Sequence, residues 1–115
     1  LSIGTIADNV SESINQLKNN ESVAHYDLRF VKPLDEQLLD AIFKKFDTII
    51  TVEDGAIKGG FGSEVLEYAS EANYQGKIKL LGIPDEFIHH GTIQQLQEVC
   101  GIDTTSIRKT IQDLL

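Results

Sequence analysis

The chain has no methionine or tryptophan, one cysteine, two prolines, and 10 basic residues against 18 acidic ones. Each shortage excludes something. A lone Cys100 leaves no internal disulfide and no cysteine-based zinc site, which suits a reducing cytosol. Cys100 sits on the apolar stripe of a short helical pattern with no basic neighbour in sequence, so it reads as a buried structural thiol rather than a nucleophile. A formal charge of −8 argues against nucleic acid and anionic membrane surfaces, leaving proteins and small molecules as partners. No apolar run approaches the roughly 20 residues of a membrane span, and the first residues do not read as a signal peptide. At 115 residues the chain reads as a single domain, residues 1–115, long enough for one core. The missing methionine includes the first position, and the chain opens directly on the strand-like Leu1-Ser2-Ile3-Gly4-Thr5. A strand that starts with no turn before it is expected to belong to a longer polypeptide.

What is present alternates between two periodicities. Leu1–Thr5 reads as a strand, and Ile6, Val10, Ile14 and Leu17 then recur at helical spacing up to Asn19-Asn20. Ser22–Leu28 reads as a second strand. Pro33 breaks the chain, Asp35 offers an N-cap, and Leu38, Leu39, Ile42, Phe43 and Phe46 form a helix face. Thr48–Glu53 is a third strand, apolar enough to be buried on both sides. A helix carrying Val65, Leu66 and Ala69 ends near Asn73 to Gly76, and Lys77–Ile83 is a fourth strand closed by Pro84-Asp85. Thr92 and Gln95 predict a capping box for a helix bearing Ile93, Leu96, Val99 and Cys100. Gly101 ends that helix, and Asp103 opens a last one with Ile107, Ile111 and Leu114 inward. The order predicts an α/β fold: a three-layer α/β/α sandwich around a mainly parallel sheet with right-handed crossovers. Ligands or partner chains dock on such sheets where the strand order reverses. If the first and third strands are neighbours, that point lies between Gly4-Thr5 and the loop from Glu53 to Gly62.

That loop, Glu53-Asp54-Gly55-Ala56-Ile57-Lys58-Gly59-Gly60-Phe61-Gly62-Ser63, runs from a strand through acids and glycines into a helix. Gly59, Gly60 and Gly62 can take positive φ and admit close approach, and free amides at the helix start would attract a carboxylate or phosphate. Standard phosphate motifs fail on inspection. Gly55 and Gly60 have P-loop spacing, but Phe61 and Gly62 stand where lysine and a hydroxyl are needed, and Gly60-Phe61-Gly62 lacks the third glycine of a dinucleotide fingerprint. The glycines are equally well read as packing devices. Glu53 is read as a carboxylate accepting loop amides, with an interdomain anchor or a raised-pKa acid as alternatives. Arg29, at the end of the second strand, could clamp a carboxylate, with pairing to Asp27 or Asp35 the plainer alternative. Lys58 beside the glycines could meet a phosphate. His89 and His90 point opposite ways on an extended segment, and His25 is remote in sequence, so no metal site is read from them.

Three motifs then carry a resemblance. Asp27-Leu28-Arg29-Phe30-Val31-Lys32-Pro33-Leu34-Asp35, the stretch from Val52 to Ser63, and Gly82-Ile83-Pro84-Asp85-Glu86-Phe87-Ile88 with His90-Gly91-Thr92 occur in that order. Over nearly its whole length the chain resembles the transketolase C-terminal fold, and in its Phe-Val-Lys-Pro-Leu-Asp and Pro-Asp-x-Phe-Ile forms the 1-deoxy-D-xylulose-5-phosphate synthases. The β subunit of thiamine-dependent 2-oxo acid dehydrogenases is the nearest competitor, and a free-standing anion-binding module is the alternative of another class. The resemblance implies five strands, the first of them antiparallel and upstream of Leu1. It also implies that thiamine diphosphate and Mg²⁺ belong to other domains of the parent, bound through a Gly-Asp-Gly motif that Glu53-Asp54-Gly55 does not supply. No cofactor, metal or catalytic residue is therefore expected in this chain. The parent implied is a cytoplasmic homodimer that joins pyruvate to glyceraldehyde 3-phosphate with loss of CO₂, feeding isoprenoid, thiamine and pyridoxal synthesis. Arg29, Glu53, Gly59, Gly60, Gly62, Ser63, Asp85 and His90 are then expected to form an interdomain or anion-binding surface towards the missing N-terminal and middle domains. His90-Gly91-Thr92 would be the loop that packs on the middle domain.

Overall fold

Polar side chains that accept backbone amides mark where three helices begin. Asp35 accepts the Leu38 amide at 3.0 Å, Thr92 and Gln95 bond reciprocally in a capping box, and Asp103 accepts the Ser106 amide. All three stand where the sequence put them, because a side-chain acceptor satisfies amides that a first helical turn leaves open. A computed structural model describes residues 1–18, 20–28, 34–84 and 91–115. In chain order the elements are β1 (Ser2–Ile3), α1 (Ala7–Asn15), β2 (Asp27–Leu28), α2 (Glu36–Lys45), β3 (Thr48–Ala56), α3 (Phe61–Glu71), β4 (Lys77–Ile83), α4 (Ile93–Cys100) and α5 (Thr104–Leu114).

The sheet is parallel throughout, in the order β2-β1-β3-β4, with Ser2 opposite both Asp27 and Val52, and Val52 opposite Leu81. Apolar side chains leave it on both faces. Val52 and Leu81 pack with Ile6 and Val10 beside α1 and with Ile107 and Ile111 of α5. On the opposite face Leu39 of α2 and Phe61 and Val65 of α3 gather Leu1, Ile3, Leu28 and Phe43. Helices cover both faces, which is the three-layer α/β/α sandwich that the alternating periodicities predict. Each fully buried side chain of the size of Leu39 or Phe61 contributes about 1.5–3 kcal/mol of burial. Ser13, fully buried on α1, ties that helix to α5. Its hydroxyl lies 2.7 Å from both the Asn9 and Thr104 carbonyl oxygens.

Strand lengths depart from the sequence reading. Residues 22–26 are not a strand, and Asn20–Ser22 form a 3-10 turn, so β2 is only Asp27–Leu28. β3 runs past Glu53 to Ala56, because an irregularity between Val52 and Ala56 lets Ala56 rejoin β4 opposite Ile83. On α4, Ile93 and Val99 do not face the core. They are 76% and 71% exposed, whereas Cys100 of that stripe packs against the α1/α5 cluster. Burial pushes the Cys100 thiol up, as befits a structural cysteine. Among the described residues no helix is long and apolar enough to cross a membrane.

Candidate functional site: the carboxyl ends of β1 and β3

β1 lies between β2 and β3, so the chain leaves β1 towards one edge and later returns on its other side. The strand order reverses between β1 and β3, at the place the sequence argument named. There the Thr5 hydroxyl donates to Asp54 Oδ2 at 2.8 Å, and a Cβ added at Gly4 would lie 3.4 Å from Asp54 Oδ1. The Asp54 bond was not foreseen, since nothing but strand register brings Thr5 to it.

Glu53 is the central side chain. It is 4% exposed, and its carboxylate accepts the Phe61 amide at 3.1 Å and the Gly62 amide at 2.8 Å. Those amides open α3, whose N-cap, Gly60, has no side chain to offer. A strand therefore supplies the cap that the local sequence lacks, and it sets a negative group at the positive end of the helix dipole. Burial raises the Glu53 pKa above its ordinary value, the two amide bonds pull it back, and neighbouring Asp54 raises it further.

The glycines serve three different purposes. Gly59 alone of the loop's three has positive φ, +73°, in the turn after Ile57. Gly60 is extended, at φ −91° and ψ −164°, so no left-handed conformation requires a glycine there. Gly62 is helical and close-packed. A Cβ on it would stand 2.6 Å from Thr51 Oγ1, 3.0 Å from Leu80 and 3.1 Å from Glu53 Oε2. The bare backbone lets α3 approach β3 and β4 closely enough for Glu53 to reach its amides. Ser63 closes the loop from within by donating its hydroxyl to the Ile57 carbonyl at 2.7 Å. The fully buried Thr51 hydroxyl has no hydrogen-bond partner among the described residues.

Of the eight residues read as one surface, the fold brings Glu53, Gly59, Gly60, Gly62 and Ser63 into a single closed loop. Arg29, Asp85 and His90 lie outside the described residues, as does His89. Two of the amides that an external anion would use, those of Phe61 and Gly62, are held by Glu53. A polar contact that sequence reasoning missed lies on the α1 face, where Ser2 Oγ is 2.6 Å from His25 Nε2 and Ser11 Oγ is 3.3 Å from Nδ1. Burial is the main cause holding the His25 pKa below its usual value. Ser2 is fully buried, so the pair joins β1 to the approach of β2 rather than presenting a nucleophile. Among the described residues no group of three or more histidine, cysteine or acidic side chains could hold a metal ion.

Residues 1–107 match a family described as transketolase, C-terminal domain. The 1-deoxy-D-xylulose-5-phosphate synthase of Cytophaga hutchinsonii is 50% identical over 115 residues, covering 99% of this chain. That of Parabacteroides distasonis is 49% identical over 113 residues, covering 97%. The chain spans 18% of the length of each of these relatives. A solved structure described as a split gene transketolase, inactive β4 tetramer, aligns with a TM-score of 0.82 at 27% identity, over 97% of this chain and 37% of that one.

Proposed function

Because the chain belongs to the transketolase C-terminal domain family, we propose that it is the C-terminal assembly domain of a 1-deoxy-D-xylulose-5-phosphate synthase, contributing to the homodimer and closing the active site from a distance. The parent then condenses pyruvate with glyceraldehyde 3-phosphate and releases CO₂. The observation that carries the reading is identity near one half to two such synthases across almost the whole chain.

The site supports a structural part. Thiamine diphosphate supplies a stabilised carbanion when bound in the parent, and a diphosphate needs free amides or cations. The Phe61 and Gly62 amides that open α3 are already accepted by a buried carboxylate, so the start of α3 does not fit that group. This chain's own work is to hold the loop after β3 in one shape: Glu53 fixes the start of α3, Gly62 sets its distance from the sheet, and Thr5 with Asp54 tethers the end of β1 to the end of β3. A surface tied together by these bonds suits docking against other domains of the same polypeptide.

Complementation tests the proposal. The upstream part of the parent is expressed with and without this domain, and consumption of pyruvate and glyceraldehyde 3-phosphate is followed with thiamine diphosphate and Mg²⁺. Activity is expected only when the domain is present, and none is expected from the 115-residue chain alone. Turnover that is indifferent to the domain overturns the assembly role, and turnover by the isolated chain overturns its lack of catalysis.

A further inference from the structure

β4 is the outer strand of the sheet, with β3 on one side and no strand on the other among the described residues. The Lys77 amide donates to the Asp47 carbonyl and the Ile57 amide to the Ile83 carbonyl, both at 2.9 Å. Alternate residues of a strand turn their backbone groups to opposite sides. Lys77, Lys79, Leu81 and Ile83 therefore face β3, and Ile78, Leu80 and Gly82 face outward. Gly82 is buried, so the open edge is Lys77–Leu80, where the sheet takes up neither the amides nor the carbonyls of Ile78 and Leu80.

The side chains give this edge two unlike borders. Leu81 packs in the α1/α5 cluster, and Lys77 and Lys79 share its face. Both lysines are exposed, and among the described residues neither ammonium makes an ion pair or a hydrogen bond. Leu80 lies against Gly62 of α3, Ile78 shares its face, and both are half-buried. Leu66, one turn along α3 from Gly62 and on the same side of that helix, is 47% exposed. The free backbone groups thus run between two ammonium groups, in a chain of net charge −8, and a partly open apolar ledge.

We propose that the Lys77–Leu80 edge accepts an extended segment of another protein as an added strand, one that alternates apolar residues with carboxylates. Its backbone pairs with Ile78 and Leu80, its apolar side chains continue the ledge, and its carboxylates lie across from Lys77 and Lys79. The lysines decide against a second copy. Another β4, Lys77–Ile83, carries no carboxylate to meet them, and an antiparallel pairing sets four ammonium groups on one face. The proposal goes beyond the assembly role and does not rest on it.

Peptide titration of the full-length polypeptide tests this, with acetyl-Glu-Val-Glu-Val-Glu-Val-amide and its lysine counterpart, acetyl-Lys-Val-Lys-Val-Lys-Val-amide, as probes. The glutamate peptide is expected to bind and to slow hydrogen exchange of the Ile78 and Leu80 amides by about tenfold, while the Lys79 amide, which faces β3, is unchanged. Lys77→Glu with Lys79→Glu is expected to reverse the preference, weakening the glutamate peptide by about tenfold and admitting the lysine peptide. Both positions are exposed, and an unchanged melting temperature shows that the variant folds. No binding, equal binding of the two peptides, or a preference that survives the charge reversal overturns the proposal. Slow exchange of Ile78 and Leu80 before any peptide is added overturns it in favour of a segment of the same polypeptide. Slow exchange that follows protein concentration overturns it in favour of a second copy. Binding is read without turnover, so a failure of the synthase reading leaves this result standing.

Discussion

Two alanine substitutions three residues apart separate the reasons for a glycine. Gly59→Ala forces a side chain into φ +73° and is expected to cost about 1 kcal/mol, although nothing lies within 4 Å of the added Cβ. Gly62→Ala meets Thr51, Leu80 and Glu53 and is expected to cost about 1–3 kcal/mol through overpacking. Gly60→Ala, at an ordinary φ of −91°, serves as the control within about 0.5 kcal/mol. Urea unfolding of the three variants checks the order, and a Gly60 effect as large as that of Gly62 would contradict it. Glu53 gives a prediction in pH. Its folded pKa lies above the unfolded value, so the folded state holds the proton more tightly, and this contribution to stability is full below about pH 4.5 and lost as pH rises through the folded pKa. The stability difference between the parent protein and Glu53→Gln should therefore shift against the parent protein across that window. A flat difference would mean that the two amide bonds cancel the burial effect. Reading residues from the sequence located the loop and named Glu53 as an acceptor of its amides, because an acid at the end of an apolar strand has few other partners. The Thr5–Asp54 bond and the Ser2–His25 contact were not legible, since both depend on which residues strand register sets opposite one another.

At the scale of elements, the caps were the most legible features. Asp35, Thr92 with Gln95, and Asp103 each act through bonds confined to three or four residues, so local sequence determines them. Asp35→Ala is expected to remove about 1 kcal/mol from the docking of α2, read as a lower urea midpoint with unchanged slope. Ser13→Ala should cost about as much, because the Thr104 carbonyl at the start of α5 loses a donor in a buried setting. A Ser13→Ala protein as stable as its parent would show that water replaces the hydroxyl. Strand ends were less legible, because ladder bonds come from distant chain. β3 continues through Asp54 and Gly55, residues of low strand propensity, because the ladder to β4 breaks after Val52 and resumes at Ala56 opposite Ile83. The periodic apolar stripe of α4 misled for a related reason. Periodicity states that a helix has an apolar side and not that this chain supplies its cover, and Ile93 and Val99 remain exposed.

For the whole molecule, the layer architecture followed from the alternation of strand and helix patterns, whereas the adjacency of β1 and β3 entered only as a condition, which the order β2-β1-β3-β4 meets. A net charge of −8 opposes association between copies, while Ile93, Val99, Leu66 and Leu115 expose apolar surface that favours it. The isolated chain is expected to self-associate in sedimentation velocity runs at high concentration, more strongly as salt screens the charge, and Ile93→Ser with Val99→Ser should reduce the effect. A monomer at every concentration and salt level would count against it. The strand order also bears on time. β1 is made first, yet it cannot pair on its inner side until Val52 has been synthesised, and β3 in turn waits for Lys77 onwards. Contacts between segments so far apart in sequence close large loops before any packing is gained, so folding should be slow for the chain's size. On the ribosome, β1 and α1 must therefore emerge and wait with their apolar faces open, and this interval, rather than the finished fold, is when the domain is most exposed to misassembly and to capture by chaperones.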